Sequence, residues 1–172
     1  MSIPNAAPGT AEEHDFSIEL YELGAVDLTI VEDNTQPGIL ASSGVEPVDV
    51  LRDDELVGVD WENRFLEYGP DVRARYGDAD SVIIPPMHFV VKWDGHPVFG
   101  GWLVNAFSAM SLDIPVLKHN LTQTCEDQRV VLRLLPNSWG DISSEYPGLT
   151  GELESDWREY FNARPPTCIY SR

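Results

Sequence analysis

Three histidines fall in the most apolar part of the chain: His88, His96 and His119. Imidazoles on neighbouring strands can converge on zinc or iron, so these are the first residues to test for chemistry. The stretch VVKWDGHPVFGGW, residues 90–102, decides how two of them face. Asp94-Gly95 between two apolar runs specifies a two-residue type I′ turn, whose central residues both need positive φ. Trp93 then opposes His96, and Met87, Phe89, Val91 and Trp93 share a face with Trp102, Gly100, Val98 and His96. His88 falls on the other face with Val90, Lys92, Phe99 and Gly101, which argues against a shared metal with His96. A further reading, a small metal enzyme with a cupin-like barrel, needs a polar pocket around His88 and His119.

Other chemistry is thinly marked. The sequence contains no Gly-rich phosphate loop ending in Lys-Ser/Thr, no GxSxG elbow, no HExxH and no CxxC. Cys125 and Cys168 lack close ligand spacing and read as separate thiols. Adjacent acids such as Asp53-Asp54-Glu55 and Glu126-Asp127 are expected in a chain with 29 acids. They also lack the ligand alternation and central glycine of a calcium loop. Trp61, Trp93, Trp102, Trp139 and Trp157 could form a sugar platform, but at this spread they read as core and interface anchors. No cofactor or metal is expected, and no catalytic residue is assigned.

Charge is the strongest global signal. The net charge of −18 is uneven. Residues 1–80 carry nineteen acids and four arginines, residues 81–136 four acids and four bases, and residues 137–172 six acids and three arginines. Such a chain repels phosphate, which disfavours direct binding to nucleic acid or to an anionic membrane. Lys92 and Lys118 are the only lysines. A halophilic host and a high-GC genome both account for that. The N-terminus, MSIPNAAPGTAEEHD, has neither a basic start nor an apolar stretch, so it reads as no secretory signal, and a cytoplasmic or virion location is expected.

The elements that must position these residues follow from periodicity. Residues 1–14 read as an extended arm and residues 15–172 as a single β-rich domain. Alternation over residues 16–32 predicts a hairpin, with Leu20 opposite Leu28, and Val48, Val50 and Leu51 a short strand. Trp61, Phe65 and Tyr68 fall at helical spacing, and residues 71–76 fit a second short helical turn. Strands are predicted near 86–93, 96–107, 112–119 and 128–135. Leu153, Trp157, Tyr160 and Phe161 mark one face of an amphipathic helix that Thr150 can cap. The fold expected is mainly β: an antiparallel sandwich or small barrel with a C-terminal helix.

The 87–102 hairpin is apolar on both faces, so it is either a central element or an arm that packs on another chain. The function expected is therefore non-enzymatic: a structural or assembly subunit, such as a virus-particle or tail component, that contacts other protein subunits through Trp93, Phe99 and Trp102. The alternative is a small acidic binding protein: an immunity protein, an inhibitor or a nucleic-acid mimic.

Overall fold

The computed structural model describes residues 13–22, 45–76, 87–105, 114–119, 129–138, 146 and 148–167. The second arm of the predicted 16–32 hairpin, residues 1–12 of the predicted arm, both cysteines and Trp139 lie outside them.

Strand β1 (Phe16–Glu22) turns Phe16, Ile18 and Leu20 inward. It is followed by β2 (Asp49–Leu51), a single 3-10 turn (Asp53–Glu55), β3 (Leu56–Asp60) and β4 (Phe65–Tyr68). Helix α1 (Pro70–Tyr76) precedes β5 (Met87–Trp93), β6 (His96–Asn105), β7 (Val116–His119) and β8 (Val130–Leu135), and α2 (Gly151–Asn162) comes last. The eight strands form one sheet in the order β2-β1-β5-β6-β7-β8-β4-β3, curled into a nearly closed barrel. The mainly β fold with a helix near the C-terminus is the one expected. The sheet is not wholly antiparallel, however: β6 and β7 run parallel, Trp102 opposite Val116 and Asn105 opposite His119.

The turn between β5 and β6 is as the sequence dictates. Asp94 has φ 51 and Gly95 φ 76, and Trp93 opposes His96. Gly95→Val is expected to cost roughly 1–3 kcal/mol in chemical denaturation, because a β-branched side chain resists positive φ. A cost below about 0.5 kcal/mol would refute that account of the turn.

Beyond Lys92 and Pro97 the register departs from expectation. Val91 opposes Phe99, not Val98, and the offset persists to Met87 opposite Leu103. One extra residue on β6 makes a bulge, and a one-residue slip exchanges the faces of everything after it. Phe99 therefore points into the barrel, while Trp102 points outward, opposite His88.

The helical reading of Trp61, Phe65 and Tyr68 is corrected as well. Trp61 opens a tight turn, and Phe65 and Tyr68 belong to β4. The Asp60 carboxylate accepts hydrogen bonds from Asn63 N–H (3.1 Å) and Asn63 Nδ2 (2.8 Å), and Arg64 takes φ 64. A side chain that satisfies the turn's own amides competes directly with helix formation.

The core lies inside the barrel, where Ile18, Leu66, Phe89, Val91, Leu117 and Leu134 are among its buried members. The convex face is apolar too: Tyr21, Val90, Val104, Val116, Val131 and Leu135 are buried. Of the two readings of the 87–102 hairpin, the central element is correct. β5 lies between β1 and β6, β6 between β5 and β7, and both are covered on both faces.

Each barrel end has its own plug. At one, Trp157 of α2 stands among Phe16, Trp61, Trp93 and Phe99, with ring centroids 5.5 to 6.0 Å away. Phe161 adds contacts to Phe16 and Trp61 at 5.1 and 5.0 Å. Thr150 occupies the N-cap position of α2 as expected, but its carbonyl rather than its hydroxyl serves the helix, accepting Glu154 N–H at 2.8 Å. At the other end, Val72 of α1 is fully buried.

The sheet order leaves one seam, between β2 and β3, which are joined by the 3-10 turn. Side chains span it. Arg75 of α1 reaches Asp49 Oδ2 (3.2 Å), the Val50 carbonyl (3.3 Å) and Glu55. From the α2 end, Arg164 donates to Asp53 Oδ2 (2.7 Å), and its carbonyl accepts Val59 N–H (2.7 Å).

Candidate functional site

Among the described residues the interior cavity is small. A cavity of about 10 Å³ lies beneath α1, lined by Leu20, Leu51, Val72, Leu103, Val130 and Leu132, with His119 as its polar member. That is at the lower limit for one water molecule.

The larger space lies outside. An open groove of about 310 Å³ lies on the outer side of β1 and β2 beside the 3-10 turn, lined by Asp15, Ser17, Val50, Arg52, Asp53 and Asp54. The strand register creates it: Ile18 pairs with Leu51, so the adjacent Ser17 and Val50 face outward beside the 3-10 turn. Its N-terminal wall is held by the hairpin turn. Asp15 N–H donates to Asp94 Oδ1 (2.8 Å), Asp94 N–H donates to the Asp15 carbonyl (2.8 Å), and His14 Nδ1 lies 2.9 Å from Asp94 Oδ2. The His14 ring stacks on Trp93 at 4.7 Å. Burial pushes the Asp94 carboxyl up, but the Asp15 amide and His14 outweigh it and hold the group below its usual range.

Asp53 behaves in the opposite way. Burial raises its carboxyl, neighbouring Asp15 adds repulsion, and Arg164 offsets only part of this. Its Oδ2 is engaged by Arg164, while Oδ1 is buried without a hydrogen-bond partner among the described residues. Three carboxylates beside two guanidiniums form a surface suited to a cationic, hydrogen-bonding group, and one hostile to phosphate.

The histidines do not converge. His88 sits on the convex face, edge-on to Trp102 at 5.2 Å, whereas His119 lines the interior and His96 is exposed beside the turn. His88 and His119 therefore lie on opposite faces of the sheet, and no polar pocket joins them among the described residues. Among the described residues no group of three His, Cys, Asp or Glu side chains is placed to hold a metal.

The expected contact residues separate in the same way. Trp93 (7% exposed) and Phe99 (0%) are core residues of this chain, because α2 and the bulge bury them. Neither is available as a surface anchor in the folded chain. Trp102 is half-buried on the convex face, where Val90, Tyr21 and Val45 pack nearby. A sugar platform is ruled out for Trp61, Trp93 and Trp157, all buried.

Sequence reasoning missed one buried polar cluster. Glu67, fully buried on the outward side of β4, accepts hydrogen bonds from Arg129 Nη1 (3.0 Å), Thr167 N–H (3.2 Å) and Thr167 Oγ1 (3.1 Å). The only local signal is a lone acid in FLEY. Its partners are 62 and 100 residues away. This cluster ties the chain after α2 to the barrel wall, and its polar atoms are directed at each other.

Compared with known proteins, the chain matches no family model, no curated protein and no solved structure.

Proposed function

We propose that this chain is a non-enzymatic protein-interaction subunit, which uses the acidic groove beside β1, β2 and the 3-10 turn to receive a basic surface of another protein subunit. One observation carries the reading: an outer groove of about 310 Å³ walled by Asp15, Asp53 and Asp54, against a cavity of about 10 Å³ inside the barrel among the described residues. Hydrogen bonds from Asp15 to Asp94 and from Arg164 to Asp53 hold two of those residues in place, which lowers the ordering entropy lost on association. Acidic complementarity also speeds encounter with a basic partner and rejects acidic ones. A virus-particle or tail assembly is one setting for such a subunit.

The test uses an arginine-rich peptide as the probe. Replacing Asp15, Asp53 and Asp54 together by Asn is expected to weaken binding at least tenfold. Removing the same number of charges from the outward side of α2, as Glu152→Gln, Glu154→Gln and Glu159→Gln, is expected to change it less than threefold. Equal losses in both variants would mean that net charge alone is responsible and would overturn the proposal. Stoichiometric zinc or iron in the purified protein would overturn it too. The acidic-inhibitor alternative uses the same groove but predicts a monomer that co-purifies with one basic target; sedimentation at high concentration distinguishes it from a self-assembling subunit.

A further inference from the structure

His119 is 8% exposed, lies on the inner face of β7, and has an Nδ1 without a hydrogen-bond partner among the described residues. The cavity it lines is otherwise apolar. Leu20, Leu51, Leu103, Val130 and Leu132 belong to strands locked into the ladder. Val72 is the exception, standing on α1, a helix of seven residues. Among the described residues that helix is held by the buried Val72 side chain and by Arg75, which reaches Asp49, Glu55 and the Val50 carbonyl. From these placements we propose that α1 is an acid-released plug of this barrel end, with His119 beneath it as the trigger.

A proton on the imidazole places a charge in a void too small to hydrate it. Arg73 on α1 is the charged group acting on it among the described residues, and it repels the imidazolium. Relief requires water, and among the described residues lining the cavity only Val72, on α1, can move aside without breaking ladder hydrogen bonds. Burial first, then Arg73, lowers the His119 pKa from its ordinary 6.5. The sign follows. The closed state excludes the proton and the open state binds it near 6.5, so closure is at full strength above that pH. It weakens as pH falls from there towards the depressed closed-state value, by up to about tenfold per pH unit for one proton. The Arg75 bridge responds in a different window. The Arg75 hydrogen bond holds Glu55 below its ordinary 4.5, so the bridge stays ionised where His119 titrates.

Amide hydrogen exchange between pH 7.5 and 5, corrected for the intrinsic rate, tests the proposal. Protection of the Val72 and Arg73 amides is expected to fall at least tenfold across that range, while that of β5 and β6 holds. His119→Leu is expected to make α1 protection independent of pH, and His119→Gln, which keeps polarity without the proton, is expected to do the same. Far-ultraviolet circular dichroism establishes that each variant is folded, and either one suffices if the other is not. Flat protection in the native chain would overturn the proposal. An unchanged pH response in the folded variants would overturn it as well. So would an equal loss in β5 and β6, because that would report global unfolding rather than release of the plug.

Discussion

Trp157→Ala is expected to remove about 3–5 kcal/mol of stability, the range for truncating a large buried aromatic. Trp157 is fully buried and meets rings from β1, β5, β6, the β3–β4 turn and its own helix. Its loss empties the middle of the plug, and the remaining rings are fixed on different strands, so they cannot close the void together. Against a total of roughly 5–15 kcal/mol for a single domain, the variant should stand near its unfolding threshold at ambient temperature. The indole Nε1 has no hydrogen-bond partner among the described residues, so Trp157→Phe forfeits area and no bond. It should cost less than half as much. Urea denaturation of both variants, followed by near-ultraviolet circular dichroism, checks this. A Trp157→Ala cost below about 1 kcal/mol would mean that α2 is not an integral part of the barrel.

Gly101→Ala carries the second large effect, about 3 kcal/mol, from a single added methyl. A Cβ at this position would lie 1.9 Å from the Pro115 carbonyl oxygen and 2.9 Å from the Phe89 ring. The nearer obstacle is backbone, and the same carbonyl accepts Trp102 N–H at 3.1 Å. The methyl must therefore push β6 from the chain that leads into β7, at the entry to the one parallel pair. Gly151→Ala is the matched control, since a Cβ there meets nothing within 4 Å. Equal midpoints for the two variants in urea would show that the close approach is not a constraint.

The legible parts of this fold are those set by neighbours in sequence. The Asp94-Gly95 turn, the apolar runs at β5, β6 and β8, and the Trp157–Phe161 face of α2 all follow from spacing and local backbone preference. The parallel β6–β7 pair was not legible, because nothing local distinguishes a strand that returns from one that crosses over. The bulge was hidden for a related reason. Val98 and Phe99 are both apolar, so alternation accepts either inward, and the choice falls to packing against Tyr146 and Trp157. Trp61, Phe65 and Tyr68 misled because a four-residue turn returns the chain with the same offsets as a helix.

The candidate site was less legible still. Asp15 and Asp53 are far apart in sequence, and neither stands out among so many acids. Aromatic residues buried in a core and aromatic residues reserved for a partner also share one composition, so Trp93 and Phe99 could not be assigned before their neighbours were known. His88 and His96 were correctly separated onto opposite faces. The turn and the first pairs are right, so His96 keeps Trp93 as its partner, but the bulge sets Trp102 rather than Gly101 opposite His88.

The barrel's seam determines the order in which the cylinder can come apart. Every other strand boundary is stitched by backbone hydrogen bonds, which ionic strength barely touches. Across the seam, the Arg75–Asp49, Arg75–Glu55 and Arg164–Asp53 pairs act as a clasp of charged side chains, weakened by added salt and by strong acid alike. The hoop is thus fastened on one side by contacts of a different physical kind from those that form it. Local opening is expected to begin at these margins, at the short β2 and at β3, and to reach β6 and β7, the middle strands of the order, last.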